Sequence, residues 1–77
     1  MKRYNYVDLQ LVRIDRYELP LNRKVWELAR FIENGGTVPP VRVTKSGLGG
    51  WRLVDGRHRY VAYKLLGLKK INIQYGE

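Results

Sequence analysis

The 77-residue sequence predicts an α+β fold, a small mixed sheet with two packed helices. Three observations lead there. Two segments, 23–34 and 57–66, place apolar residues at helical spacing. Segments 8–14, 41–45, 51–54 and 69–75 carry strand-type residues with full or partial alternation. Their order along the chain (strand, helix, strand-hairpin-strand, helix, strand) needs both hairpin and crossover connections, and therefore a mixed sheet.

The elements follow in order. A first strand is expected over Asp8–Ile14, where Leu9, Leu11 and Ile14 are interspersed with Gln10 and Arg13 in an imperfect alternation. Arg16 to Pro20 reads as a connection, because Pro20 biases Leu19 away from helix. Asn22 is a favourable N-cap, and Val25, Leu28, Ala29 and Ile32 follow at i, i+3, i+4 and i+7 as one apolar face. Trp26 and Phe31 widen that stripe, and Trp26 is expected in the core. Gly35-Gly36 supplies the stop, so helix is predicted over Arg23–Asn34. Pro39-Pro40 breaks the chain before the alternating strand Val41–Lys45. The glycine-rich Ser46–Gly50 makes a hairpin turn and Trp51–Val54 returns, so that Val41, Val43, Trp51 and Leu53 share a face. Asp55-Gly56 ends that strand. The second helix is predicted over Arg57–Leu66, with Val61, Ala62, Leu65 and Leu66 buried and Gly67 as terminator. A last strand runs over Lys69–Tyr75, with Ile71, Ile73 and Tyr75 on one face.

Composition bounds the function. A chain of this length makes one small domain, residues 1–77, and buries a modest share of its surface. There is no cysteine, which excludes disulfides and thiol catalysis. The apolar content of 44%, with two Trp, six Tyr and one Phe, is enough for a core. No apolar run is long enough to span a membrane, and the basic start Met1–Tyr4 leads into no hydrophobic stretch of a signal peptide. A cytoplasmic protein without a membrane partner is expected. Fifteen Lys and Arg face seven Asp and Glu, a net charge of +8, and such a field attracts polyanions. Nucleic acid, DNA first, or nucleotide phosphate is the expected partner. A homo-oligomer or an acidic protein partner stays open.

The informative segment is Leu53-Val54-Asp55-Gly56-Arg57-His58-Arg59-Tyr60. A strand ends in a glycine turn and opens directly into a helix. The first N–H groups of a helix have no internal partner and lie at the positive end of its dipole, which together make an anion site. Gly56 lets the backbone approach an anion, and Arg57, His58 and Arg59 supply donors around it.

The run Leu53 to Gly67 resembles the Gly-x-x-Arg-x-x-Ala helix of the ParB-like N-terminal domain family. The likeness extends upstream through Asn34-Gly35-Gly36 and Val38-Pro39-Pro40-Val41-Arg42-Val43, and covers about residues 9–75. It implies a ParB/sulfiredoxin-like fold and a phosphate pocket lined by Gly56, Arg57, His58 and Arg59, with Arg59 at the family's characteristic arginine. CTP or ATP is the nucleotide it suggests. Two departures restrict the chemistry. Sulfiredoxins have a catalytic cysteine where this chain has Arg57, so their reaction is excluded, although the His-Arg pair is kept. Chromosome-partitioning relatives carry Glu and Asn, which assist a metal ion bound with CTP, where this chain has Arg57 and His58. That weighs against metal-assisted CTP hydrolysis and against a role for Mg²⁺. Open readings are a binding module, a nuclease or nucleotide-dependent phosphotransferase, or a small regulatory protein-interaction domain, with the binding module favoured and no catalytic residue assigned.

Other residues have a functional and a plain reading side by side. Asp55 could position a ribose or metal, or more simply cap the second helix. Asp15 and Glu18 could act as a base, or be solvated loop acids. His58 could face phosphate, or be bonded locally. Tyr60, Tyr63, Trp26 and Trp51 could stack on bases, with a core position the plainer reading of Trp26. Arg57, Arg59, Lys64, Lys69 and Lys70 form a basic stretch without an acid that could track a nucleic-acid backbone, or be a solvated helix and its end. No metal site is visible.

Overall fold

The computed structural model describes residues 2–14, 21–47 and 49–76. Its elements are β1 (Lys2–Asp8), a 3-10 turn (Leu9–Leu11), β2 (Val12–Arg13), α1 (Arg23–Glu33), β3 (Val41–Lys45), β4 (Trp51–Asp55), α2 (Arg57–Leu65) and β5 (Lys70–Gly76). They build an α+β fold, a five-stranded mixed sheet in the order β1-β5-β3-β4-β2. β1 with β5 and β3 with β4 run antiparallel, whereas β5 with β3 and β2 with β4 run parallel.

The first strand departs from expectation. Instead of one strand over Asp8–Ile14, β1 starts at Lys2, and the 3-10 turn separates it from the two-residue β2. β1 and β2 form opposite edges of the sheet, and the turn is what carries the chain between them. From Asp8 to Val12 the chain can reach at most about 14 Å. Four strand spacings of a flat sheet would need about 19 Å. The sheet is therefore strongly curled, and it curls toward the helices, because Leu9 and Val12 join the same core as α2. Two hydrogen bonds fix the crossing: Leu9 N–H donates to Lys69 O at 2.8 Å, and the buried Tyr60 hydroxyl donates to Val12 O at 3.1 Å.

Register puts the apolar residues on the concave face. Val41 stands beside Ile73 and Val43 beside Leu53. Ile71, Ile73, Val25 and Ala62 are fully shielded from solvent. Trp51 and Tyr75 stack with ring centroids 4.5 Å apart on the same face as Val43. Asn22 caps α1 as expected, its Oδ1 accepting from Val25 N–H at 3.2 Å. Both helices end in Schellman motifs: Gly36 N–H bonds Phe31 O, and Leu68 N–H bonds Tyr63 O.

Three apolar assignments are corrected. Trp26 lies outside the core, 58% exposed, because it is one residue, about 100° of helix, beyond the buried Val25. Phe31 is also exposed, and its ring folds against Gly36, where a Cβ would come within 2.5 Å of it. In α2 the buried residues are Tyr60, Val61, Ala62 and Tyr63, and Leu65 faces solvent. The curled sheet and α1 cover a wider arc of α2 than a flat sheet would, so two tyrosines are drawn inside.

Among the described residues no helix is long and apolar enough to cross a membrane.

Candidate functional site

The Asp55–Arg59 turn is set up by a β-bulge. Arg42 faces Asp55, but Val43 faces Leu53, so Val54 is an extra residue in β4. A bulge re-aims the chain that follows it. Here it delivers Gly56 at φ +102, in the left-handed region, as the residue preceding α2. Glycine is required twice. A side chain would be strained at this φ, and a Cβ would sit 2.9 Å from Val41 Cγ1 and 3.2 Å from Arg59 Cζ.

Arg59 is half-buried and largely committed to its own chain. Its Nη1 donates to Pro39 O at 3.0 Å and Pro40 O at 2.9 Å, and Nη2 stands 4.0 Å from Asp55 Oδ2. The first two bonds pin the Pro39-Pro40 segment onto the start of α2, and bonds from a charged donor are the stronger kind. The ion pair is solvent-facing on the Asp55 side, with that side chain 62% exposed, and contributes little. The expectation that Asp55 caps α2 is overturned. No side chain caps this helix, because Gly56 occupies the capping position and Asp55 is turned toward Arg59.

His58 reaches across to α1. Asn22 Nδ2 lies 3.4 Å from His58 Nε2. With Asn22 Oδ1 already accepting from Val25 N–H, its amide nitrogen must be the donor. His58 Nε2 is then the acceptor, which places the ring proton on Nδ1. A single asparagine thus caps one helix and orients the histidine that opens the other.

The result is a cavity of about 660 Å³ onto which the start of α2 opens, with α1 forming one side. Lys24 and Leu28 line it from α1, Gly56 from the turn and Arg57, His58 and Arg59 from α2, with the carboxylate of Asp55 at its edge beside Arg59. Val38, Pro39, Leu53 and Val54 provide apolar wall. Neither helix has an acid in its first turn. Arg23 and Lys24 stand in one first turn and Arg57, His58 and Arg59 in the other, cations where the dipole favours anions. Lys24 and Arg57 have no hydrogen bond or ion pair with another described residue. Lys24 was not singled out from the sequence, although cations directly after an N-cap, against the dipole, were a legible signal.

The remaining candidates are placed elsewhere. Lys64 and Lys69 flank a second cavity at the other end of α2, where Lys64 Nζ sits 5.5 Å from the centroid of the Tyr60 ring. Lys70 lies on the convex face of the sheet over the Tyr6 ring. The structure does not bring these lysines together with Arg57 and Arg59. Tyr60 is occupied by Val12 O. Tyr63, one turn beyond Arg59, has its hydroxyl pushed up from the usual 10.0, first by burial and then by Tyr6, with Arg59 opposing. Asp15 and Glu18 lie outside the described residues. Among the described residues no cluster of three or more His, Asp or Glu could hold a metal ion.

Comparison with known proteins agrees with the fold. The ParB N-terminal domain family model matches residues 7–75. No curated protein sequence matches the chain. Sulfiredoxin from Arabidopsis thaliana superposes with a TM-score of 0.83 at 27% identity, over 97% of this chain and 85% of that one. The C-terminally truncated chromosome-partitioning protein ParB from Caulobacter crescentus, complexed with CTP-γ-S, superposes with a TM-score of 0.79 at 21% identity over 97% of this chain. A free serine kinase in complex with AMP gives 0.79 at 20% identity over 96% of this chain. The chain spans 44% of that ParB chain and 31% of the kinase.

Proposed function

The chain belongs to the ParB N-terminal domain family, and we propose that it is a phosphate-recognising module that binds a nucleotide, or the phosphates of nucleic acid, in the cavity between the starts of α1 and α2. The observation that carries this reading is a cavity built on the N-terminus of α2, into which Arg57, His58 and Arg59 of that helix and Lys24 from the first turn of α1 all bring donors. The start of α2, which has no side-chain cap, offers unpaired backbone N–H groups and the positive end of a dipole. Lys24 and Arg57 are exposed and available to an anion, and a guanidinium suits a phosphate bidentately. His58, whose Nε2 lies beside the Asn22 amide, presents its Nδ1 as a further polar atom at the start of α2. Arg59 has a shared role. It holds the Pro39-Pro40 wall in place with Nη1, stands beside Asp55 with Nη2, and adds positive charge to the cavity lining. The neighbours complexed with CTP-γ-S and with AMP support a nucleotide as occupant.

An amide NMR titration of labelled protein with CTP, ATP and inorganic phosphate, with and without Mg²⁺, tests this. Shifts should concentrate at Gly56–Arg59 and also at Lys24, which lines the same cavity from α1. Arg57→Ala and Lys24→Ala should each weaken binding. The absence of shifts at millimolar ligand, or shifts confined to residues far from both helix starts, would refute the proposal.

A further inference from the structure

The convex face of the sheet carries a second feature that the phosphate cavity does not explain. Register places Tyr4 and Tyr6 of β1 opposite Gln74 and Asn72 of β5. Ile71 and Ile73 point to the core, so these four side chains point away from it. Neither helix covers them: Tyr4 is 64% and Tyr6 56% exposed. Two residues apart on one strand, the rings stand roughly 7 Å from each other on the same side. Buried tyrosines are ordinary in this chain. Two adjacent, solvent-facing ones on an open sheet face are not needed by the core.

Their surroundings are basic and amide-rich. Lys2 and Lys70 extend the two rows, and Arg42 of β3 stands beside Gln74. Lys70 Nζ lies 5.8 Å from the Tyr6 ring centroid. Lys2, Arg42, Thr44 and Gln74 also line a shallow depression of about 300 Å³. The acid on these three strands is Asp8, cross-strand from Lys70, and Asp55 of β4 stands opposite Arg42. Three cations thus border the rings.

We infer that this face is a stacking platform for single-stranded nucleic acid, a site separate from the cavity at Gly56. Exposed aromatics on a sheet, with cations beside them for the backbone and amides for base edges, are the means by which open sheets hold unpaired bases. Tyr4 and Tyr6 each stack one base, Asn72 and Gln74 offer donors and acceptors to base edges, and Lys2, Lys70 and Arg42 take the phosphates. A duplex hides its base faces, so the platform selects single strands. The inference does not depend on nucleotide binding at the helix starts, and the two fail separately.

Fluorescence anisotropy of a labelled oligothymidine and of a duplex of equal length, titrated with the full chain, tests it. The single strand should bind more tightly than the duplex. The variant Tyr4→Thr/Tyr6→Thr keeps strand propensity but removes the rings, and should lose at least about fivefold in affinity per ring, on the scale of base–aromatic stacking. Tyr4→Phe/Tyr6→Phe keeps the rings and should stay within about twofold of wild type. The same loss should be seen when the Tyr4→Thr/Tyr6→Thr change is made in an Arg57→Ala background, which separates this face from the cavity. Circular dichroism of each variant guards against loss of β1. The inference is overturned if the Thr variant folds and binds oligothymidine like wild type, if the duplex is preferred, or if the face is instead covered by a second copy of the chain, seen as dimerisation that the Thr variant abolishes and oligothymidine does not compete.

Discussion

Gly56→Ala is the sharpest test of how the turn is built. The substitution has two costs. Holding a non-glycine residue near the left-handed region, here φ +102, costs about 1–2 kcal/mol. The new methyl would also lie 2.9 Å from Val41 Cγ1 and 3.1 Å from Val41 Cβ. Val41 is 1% exposed between β5 and β4 and has nowhere to move. Overpacking of this kind costs about 1–3 kcal/mol. The sum, about 2–5 kcal/mol, compares with a whole-domain stability of roughly 4–12 kcal/mol for this length. The melting temperature should fall by at least about 10 °C. Gly67→Ala is the internal control. It is also left-handed, at φ +68, but no atom lies within 4 Å of its Cβ, so it should lose only the backbone part, about 1–2 kcal/mol. Urea denaturation of both variants isolates the close approach as their difference. Equal losses would refute the claim that Val41 and Arg59 require a glycine at position 56. A cycle with Val41→Ala should then show coupling between the two positions.

Three further outcomes are expected. Tyr60→Phe should destabilise by about 0.5–1.5 kcal/mol in urea, since it removes the buried bond to Val12 O that holds β2 against α2. Tyr63 has its pKa raised on folding, so the stability contributed by its protonated hydroxyl is present below its ordinary value of 10.0 and is lost as pH rises through the higher folded value. Tyr63→Phe should therefore lose less stability than wild type between about pH 9 and about pH 11, as followed by urea melts across that range. Arg57→Glu should stabilise the ligand-free protein by about 0.3–1 kcal/mol, because it puts an acid in the first turn of α2, while abolishing the phosphate-induced amide shifts. Calorimetry with and without phosphate reads both effects.

What the sequence revealed of the fold follows from which elements bury a full face. α1, β3, β4, α2 and β5 each place apolar residues against the core, and their boundaries agree with the expected ones to within a residue. β1 does not bury such a face. It is an edge strand with Lys2, Tyr4 and Tyr6 on the open side, so its period of two is written in polar and aromatic residues that a hydrophobic pattern misses. Trp26 was misplaced for the converse reason. It is apolar by type, but the helix register turns it to solvent. The glycine turn at 56 was legible because its demand is local. The tie between Asn22 and His58, and the bonds from Arg59 to Pro39 and Pro40, join residues 19 to 36 positions apart and exist only once the sheet has brought the two helix starts together.

The electrostatics of those starts link structure to function. Stability alone would favour acids in the first turn of a helix, and this chain has none there in either helix. It places cations at both sites instead, against the dipoles, and Lys24, Arg57 and Arg59 line one cavity. Local choices that oppose stability are expected where function requires them. Here the opposition would be relieved by one event, the arrival of an anion, which meets the unpaired N–H groups at the start of α2 and the cations that line the cavity from both helices. Such a ligand stabilises the folded state by mass action, and because it bridges α1 and α2 it should reinforce the contact between the two helices as well as the turn that holds it.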